Sequence, residues 1–255
     1  MGVSVLTNSV FKPVVVIPVY NHEDAIGVTL AEVLRYGYPV LLVDDGSSPA
    51  CREVLVQLSL QYADRVELIR LEQNQGKGAA VKAGLRQAFK SGYSHGVQVD
   101  ADGQHDLQAM PLFMATAQSS PEALVIGYPR YDESVPAHRY YARYLTHVWV
   151  WINTLSFSIK DTMCGFRVYP LARVTSLLEQ NSCGNRMEFD TEVVVRWTWL
   201  GFAVMNLPTK VNYPIDGVSH FNAVKDNLLI SRMHARLFLG MLFRLPRLIR
   251  NKFYG

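Results

Sequence analysis

Gly96-Val97-Gln98-Val99-Asp100-Ala101-Asp102 is the stretch that decides the fold. Val97 and Val99 fall on one face of a short buried strand, and two carboxylates follow where that strand ends. In open α/β sheets ligand chemistry collects outside the carboxyl ends of strands. Two aspartates one residue apart at such an end supply the hard oxygen donors that Mg²⁺ or Mn²⁺ takes when it carries a diphosphate. The same triplet also reads as a solvated acidic turn, so the rest of the chain has to decide.

Working outward, strands and helices alternate through the first half, the pattern of a mostly parallel sheet covered by helices. Strands are expected at Val14–Val19, Val40–Val43 and Val66–Leu71, with a fourth ending at Asp100. Helices are expected at Glu23–Tyr36, at Pro49–Ala63 and from Gly76-Lys77-Gly78 to about Lys90. Successive strand ends deliver polar residues: Tyr20-Asn21, then Asp44-Asp45, then Asp100-Ala101-Asp102. Three such ends on one sheet edge make one cleft. The second half is less regular, with a strand at Leu124–Gly127 and helices at Arg139–Ile159 and Phe189–Leu200. Two short strands, Ala203–Leu207 and Lys210–Tyr213, flank Pro208.

Composition bounds the protein class. At 255 residues, 49% hydrophobic and 18% charged, the chain buries a full core and is not disordered. Cys51, Cys164 and Cys183 are odd in number and lack metal-ligand spacing, which points to reduced thiols and a cytoplasmic setting. The early apolar run Val14–Val19 is too short for a signal sequence, and Leu6 stands where a myristoylation signal needs Ser or Thr. No stretch reaches the roughly 20 apolar residues of a membrane-spanning helix. The net charge of +3 divides unevenly, because residues 225–255 hold seven Lys or Arg and one acid. The expected division is therefore a domain over 1–224 and a basic amphipathic helical extension over 225–255.

Two loops carry further chemistry. Asp44-Asp45-Gly46-Ser47-Ser48 either accepts hydrogen bonds from a nucleobase or ribose, or is a turn with a helix N-cap. Asn74-Gln75-Gly76-Lys77-Gly78 either brings backbone N–H groups and a lysine to phosphates, or is a glycine turn with an exposed lysine. It lacks P-loop spacing, which disfavours kinase or NTPase chemistry.

Taken in order, V-V-V-I-P-V-Y-N, V-D-D-G-S-S, N-Q-G-K-G-A-A, V-D-A-D-G-Q-H and D-T-M-C-G-F-R resemble the family-2 glycosyltransferases of GT-A fold. The likeness covers roughly residues 13–220 and is greatest to dolichyl- and polyprenyl-phosphate sugar synthases. It implies that Pro18, Tyr20, Asp44 and Asp45 hold the nucleoside and that Lys77 and Ala101 lie along the bound nucleotide sugar. By the same resemblance, Asp100, Asp102 and Gln104 hold the cation, and Arg130 contacts donor or acceptor. The segment Met187–Glu192 aligns with the acidic acceptor side, making Asp190 the first choice and Glu188 the second for a general base. The plain alternative is a pair of helix-start acids favoured by the macrodipole. Asp161 and Arg167 are further acceptor-side candidates, Asp161 orienting a loop and Arg167 pairing with an anion.

The synthases commonly carry an Arg and a Lys around a G-x-S turn, where this chain has Pro214 and His220. Loss of both cations weakens the polyprenyl-phosphate inference, and His220 reads either as a metal ligand or as structural. In the tail, Arg232, Arg236, Arg244, Arg247 and Arg250 fall within roughly a third of the helical circle, and Pro246 should kink or split the helix. That pattern reads as a helix on an anionic bilayer or as one packed on the domain.

The sequence therefore points to an inverting, Mg²⁺- or Mn²⁺-dependent transferase moving a sugar from a nucleoside diphosphate to a lipid-linked or membrane-proximal acceptor. It would lie peripherally on the cytoplasmic face of a membrane, and nothing in it calls for nucleic acid. A saccharide hydroxyl with Asp190 as base is the alternative acceptor chemistry. Nucleotidyl transfer and a non-catalytic nucleotide-sugar sensor are the alternatives of another class. The former expects a Gly-, Arg- and Lys-bearing loop after the first strand, where this chain has Val19-Tyr20-Asn21-His22-Glu23.

Overall fold

Val14, Val15, Val16 and Ile17 are all fully buried, so strand β1 (Pro13–Val19) is covered on both faces, as an unbroken apolar run requires. The computed structural model describes residues 10–129, 137–210 and 223–254. After β1 come α1 (Glu23–Leu34), β2 (Val40–Asp44), α2 (Pro49–Gln61), β3 (Val66–Arg70), α3 (Lys77–Lys90) and β4 (His95–Gln98). Ser48 caps α2 through its side chain, which accepts from Cys51 N–H, and Pro49 occupies the first turn. The alternation expected for this half is present, with ends moved by a residue or two.

The second half contains more than its sequence pattern announces. A 3₁₀ turn (Leu107–Ala109) leads into α4 (Met110–Ser119), then β5 (Leu124–Pro129), α5 (Ala137–Thr154), β6 (Arg167–Pro170), α6 (Leu171–Gln180), α7 (Phe189–Trp199), β7 (Val204–Thr209) and α8 (Ala223–Tyr254). The expected break at Pro208 does not occur, since β7 runs through it, and the second expected strand, Lys210–Tyr213, lies outside the described residues beyond Lys210. Among the described residues β7 is the edge strand, paired only with β5, and there a missing N–H is tolerated. Likewise α8 continues through Pro246 as one helix instead of splitting.

The seven strands form one sheet in the order β3-β2-β1-β4-β6-β5-β7. β6 alone runs against its neighbours β4 and β5, while the remaining pairs are parallel. The reversal matters for function. The carboxyl ends of β1, β2 and β4 share one edge, and antiparallel β6 starts at that edge, with Arg167 opposite Gln98. One face of the sheet buries Val14, Val16 and Val43 under α3, α6 and α7. The other buries Val15, Ile17, Leu42 and Val97 under α1, α2 and α4, where Phe113 stacks on Phe166 at 4.1 Å between centroids.

The tail helix is not detached. Met233, Leu237 and Met241 of α8 are buried in the first of these cores, and Trp149 of α5 stacks on His234. Arg236 pairs with the fully buried Glu192 at 2.7 Å, and Arg244 lies 4.8 Å from the Trp199 ring centroid. Two of the five tail arginines therefore have partners in the domain, contrary to the absence of balancing groups in the tail itself.

Candidate functional site

Lys77 stands at the first position of α3, directly after Gly76, whose φ of +105° is one that side-chain-bearing residues rarely adopt. From there its ammonium reaches Asp100 Oδ1 at 2.8 Å and Asp190 Oδ2 at 3.0 Å. Asp100 arrives from the end of β4 and Asp190 from the first turn of α7. Three distant segments thus meet at one lysine. Burial alone would lower the lysine's pKa, but Asp100 and Asp190 outweigh it and hold the ammonium well above the ordinary lysine value.

Asp100 has a second cationic neighbour. His105 Nε2 lies 3.2 Å from Asp100 Oδ2. Against the lowering effect of burial, this bond and Cys164 push His105 up to about 10, so the imidazole is charged at neutral pH. Burial opposes ionisation of Asp100, yet Lys77 and His105 hold its pKa well below the usual carboxylate range. The backbone of Gly165 closes the remaining side: a Cβ built there would overlap the Asp100 carboxylate. His105 and Gly165 were not assigned roles from the sequence, although both lie inside the motifs D-A-D-G-Q-H and D-T-M-C-G-F-R.

Behind Asp190 lies a buried polar layer. Gln98 Nε2 donates to Asp190 Oδ1 at 3.3 Å, and Tyr169 donates to Gln98 Oε1 at 3.0 Å. Arg167 is fully buried and donates to the carbonyls of Thr162, Cys164 and Asp190 and to the Tyr169 hydroxyl, with its NH1 3.7 Å from Asp190 Oδ1. The guanidinium expected to pair with an anionic acceptor is instead turned inward and braces Asp190. Burial pushes the Tyr169 hydroxyl up to about 12.

Asp44 and Asp45 are also buried. Asp44 accepts from Ser47 N–H at 2.8 Å and pairs with Arg70. Asp45 accepts from Asn74 Nδ2 and from the N–H groups of Gln75 and Gly76 at 2.8–3.0 Å. Their carboxylates shape the two loops, in which Arg70 is exposed and Asn74 and Tyr20 are half-buried. Pro18 is buried within β1, and buried Ala101 accepts from Thr29 through its carbonyl at 3.1 Å.

Glu188 packs against Gly184 and accepts from Arg186 N–H, and its Oε2 is buried without a hydrogen bond. Asp161 organises its own loop, accepting from the N–H groups of Met163 and Cys164 at 2.7 Å each and from Arg143 of α5 at 2.6 and 2.8 Å. His147 lies one helical turn on, 3.5 Å from Asp161. Burial would raise the Asp161 pKa, but Arg143 and His147 hold it well below the usual range. Arg130 and His220 lie outside the described residues.

The fit to a divalent cation can be judged from the donors. Among the described residues no three His, Cys, Asp or Glu side chains form a ready cage. Asp102 is half-buried, with Oδ1 accepting from Gln104 N–H at 3.1 Å, and the Gln104 side chain is equally half-buried. A few hard protein oxygens completed by diphosphate oxygens are how Mg²⁺-type ions are held, so the set fits an ion that arrives with its nucleotide.

Two strand-end aspartates at the sheet edge, with a lysine that joins one of them to a third carboxylate, make the acidic cleft of this fold. The Glycosyl transferase family 2 model matches residues 14–186, and the chain belongs to that family. Dolichyl-phosphate beta-glucosyltransferase of Mus musculus is 31% identical over 176 residues, 60% of this chain and 53% of that protein. An undecaprenyl-phosphate 4-deoxy-4-formamido-L-arabinose transferase of Photorhabdus laumondii is 29% identical over 184 residues, 70% of this chain and 54% of that protein. The chain thus spans about half the length of these relatives. Among solved structures, S. aureus TarS with UDP aligns at TM-score 0.57 and 18% identity, over 89% of this chain and 65% of that one. A mannosyltransferase from Pyrobaculum calidifontis with GDP-Man and Mn²⁺ aligns at 0.53 and 14%, over 94% and 73%. These likenesses establish a GT-A fold and a glycosyltransferase related to polyprenyl-phosphate sugar transferases. That assignment speaks against nucleotidyl transfer.

Proposed function

We propose that this chain is an inverting, divalent-metal-dependent glycosyltransferase that moves a sugar from a nucleoside diphosphate donor to a lipid-linked, polyprenyl-phosphate-like acceptor. The observation that carries the reading is the convergence of Asp100, Asp102, Lys77 and Asp190 at one sheet edge. Asp102 and Gln104, with Asp100, would hold Mg²⁺ or Mn²⁺, which when bound neutralises charge on the departing diphosphate. Lys77 and the α3 N-terminus face the same anion, and their help grows as the glycosidic bond breaks. An acceptor phosphate attacks the anomeric carbon from the face opposite the diphosphate and inverts that centre. Such a nucleophile is already anionic and needs no base.

The names of the relatives support a lipid phosphate acceptor, and so does α8. Its outer side exposes Leu228, Leu239, Leu242 and Phe243 beside Arg232, Arg247 and Arg250, the mixture that seats a helix on an anionic bilayer. No helix among the described residues is long and apolar enough to cross a membrane. We place the protein at a cytoplasmic membrane face, with 225–255 as its lipid-facing extension and cell-envelope glycan or glycolipid synthesis as its setting.

The saccharide-hydroxyl reading keeps one specific support: Asp190 shares its ammonium with Asp100 and so lies at the reacting centre. Asp190→Asn separates the two. With a hydroxyl acceptor, loss of the base should cost about 10²–10⁴ in rate. With a phosphate acceptor the loss should stay below about tenfold. A thermal-shift panel of UDP-, GDP- and dTDP-sugars with and without Mn²⁺ tests the donor class, since ligands that bind the folded state raise its stability. Stabilisation by none of them would overturn the proposal.

A further inference from the structure

Asp100 and Asp190 reach the site from opposite sides, and the group that neutralises both is Lys77, with Nζ 2.8–3.0 Å from oxygens of each. Building on the donor reading above, we infer that Lys77 is a resident cation: it fills the seat of the divalent ion while the donor is absent and moves to the diphosphate when the donor binds. One movement would then open Asp100 to the metal and leave Asp190 to Gln98 and Arg167.

The surroundings fit an exchange better than a permanent bond. Asp100 itself cannot swing away, because the Gly165 backbone and His105 enclose it. Lys77 can, since it hangs on a flexible four-carbon stem and its side chain keeps 19% of its surface exposed. Neither carboxylate is stranded when it leaves. Asp100 keeps His105 at 3.2 Å, and Asp190 keeps Gln98 at 3.3 Å with Arg167 at 3.7 Å. The ammonium also has a destination close by. It sits at the first residue of α3, where the positive end of the helix favours an anion, although Ala79 N–H is already bonded to the Asn185 carbonyl at 2.9 Å. A diphosphate placed there offers the lysine a denser negative charge than two separate carboxylates, each of which has another donor.

The exchange makes metal binding conditional. While Lys77 stays in place, a divalent ion meets a carboxylate already paired with an ammonium at 2.8 Å. The donor would therefore bring about its own metal site.

The test is Mn²⁺ binding to the full chain, read from the electron paramagnetic resonance signal of free Mn²⁺, without substrate or turnover. Wild type should bind Mn²⁺ weakly alone and at least tenfold more tightly with a saturating nucleoside diphosphate (UDP or GDP). Lys77→Met should bind Mn²⁺ alone at least tenfold more tightly than wild type, with the nucleotide adding little further. Lys77→Arg, which keeps a cation in the seat, should behave as wild type. Tight Mn²⁺ binding by nucleotide-free wild type would overturn the inference even if Lys77→Met failed to fold. So would a folded Lys77→Met that binds Mn²⁺ no better than wild type. If Lys77→Met gains Mn²⁺ while no nucleotide strengthens binding in wild type, the lysine does occupy the seat, and its transfer and the donor reading fail together.

Discussion

Replacing Gly165 with alanine adds one methyl group and should disable the site. A Cβ at 165 would occupy the volume of both Asp100 carboxylate oxygens. The carboxylate must then rotate off Lys77 and His105, which hold it at 2.8–3.2 Å. Breaking a buried charge pair costs about 3–5 kcal/mol when the charge stays inside. Asp100 keeps 20% of its side-chain surface exposed, so part of that cost is recovered in water, and a stability loss of about 2 kcal/mol is expected. Activity should suffer more. Misplacing a donor-binding carboxylate by about an ångström is worth on the order of 10²-fold. The assay is kcat/KM for sugar transfer to a polyprenyl phosphate in detergent, paired with a urea unfolding curve. Gly27→Ala is the control, since Gly27 lies inside α1 with nothing within 4 Å of a built Cβ. That change should stabilise the protein by about 0.5–1 kcal/mol and leave transfer alone. Transfer by Gly165→Ala within threefold of wild type would refute the packing argument and with it the placement of Asp100.

Three further outcomes are expected from buried and exposed charges elsewhere in the protein. His234 is buried between α5 and α8 and its pKa falls from 6.5 to about 4 through burial, so the unfolded chain binds the proton first as pH drops. Stability should therefore decline from pH 6.5 towards pH 4 by up to about 3 kcal/mol, at about 1.4 kcal/mol per unit, and His234→Leu should flatten that slope in urea melts. Arg236→Ala removes one of the two arginines on buried Glu192; with 52% of the arginine side chain exposed, the loss should be about 1 kcal/mol, and an unchanged urea midpoint would show the pair to be idle. Reversing Arg232, Arg247 and Arg250 to glutamate should weaken flotation with vesicles containing phosphatidylglycerol by tenfold or more, whereas unchanged flotation would remove the bilayer from the account.

How far the sequence could be read follows from what each signal depends on. β1 to β4 were legible because buried parallel strands are apolar runs bounded by turns, and the carboxylates lie directly at their ends. β6 was not, since its four residues begin with an arginine that every surface rule places in water. That arginine is buried because a reversed strand starts at the site edge, and strand direction leaves no mark in composition. α4 and α6 escaped for a similar reason, having no strand-end motif to draw attention to them. The DAD triplet, Lys77 and Asp190 were each picked out locally. Their meeting at 2.8–3.0 Å was not, because Asp190 lies ninety residues beyond Asp100 and only packing of α7 on α3 joins them. Asp44 and Asp45 illustrate the opposite limit: both turn and ligand roles use the same residue types, and burial favours loop shaping.

The most direct test is transfer itself. Purified protein would be incubated with Mn²⁺, a polyprenyl phosphate and each of the UDP-, GDP- and dTDP-sugars, and the lipid fraction read by mass spectrometry beside an Asp102→Ala variant of matched stability. We predict a sugar-phosphate lipid from at least one donor with wild type, and at least a hundredfold less with Asp102→Ala. No lipid product from any donor, or equal product from the variant, would contradict the account.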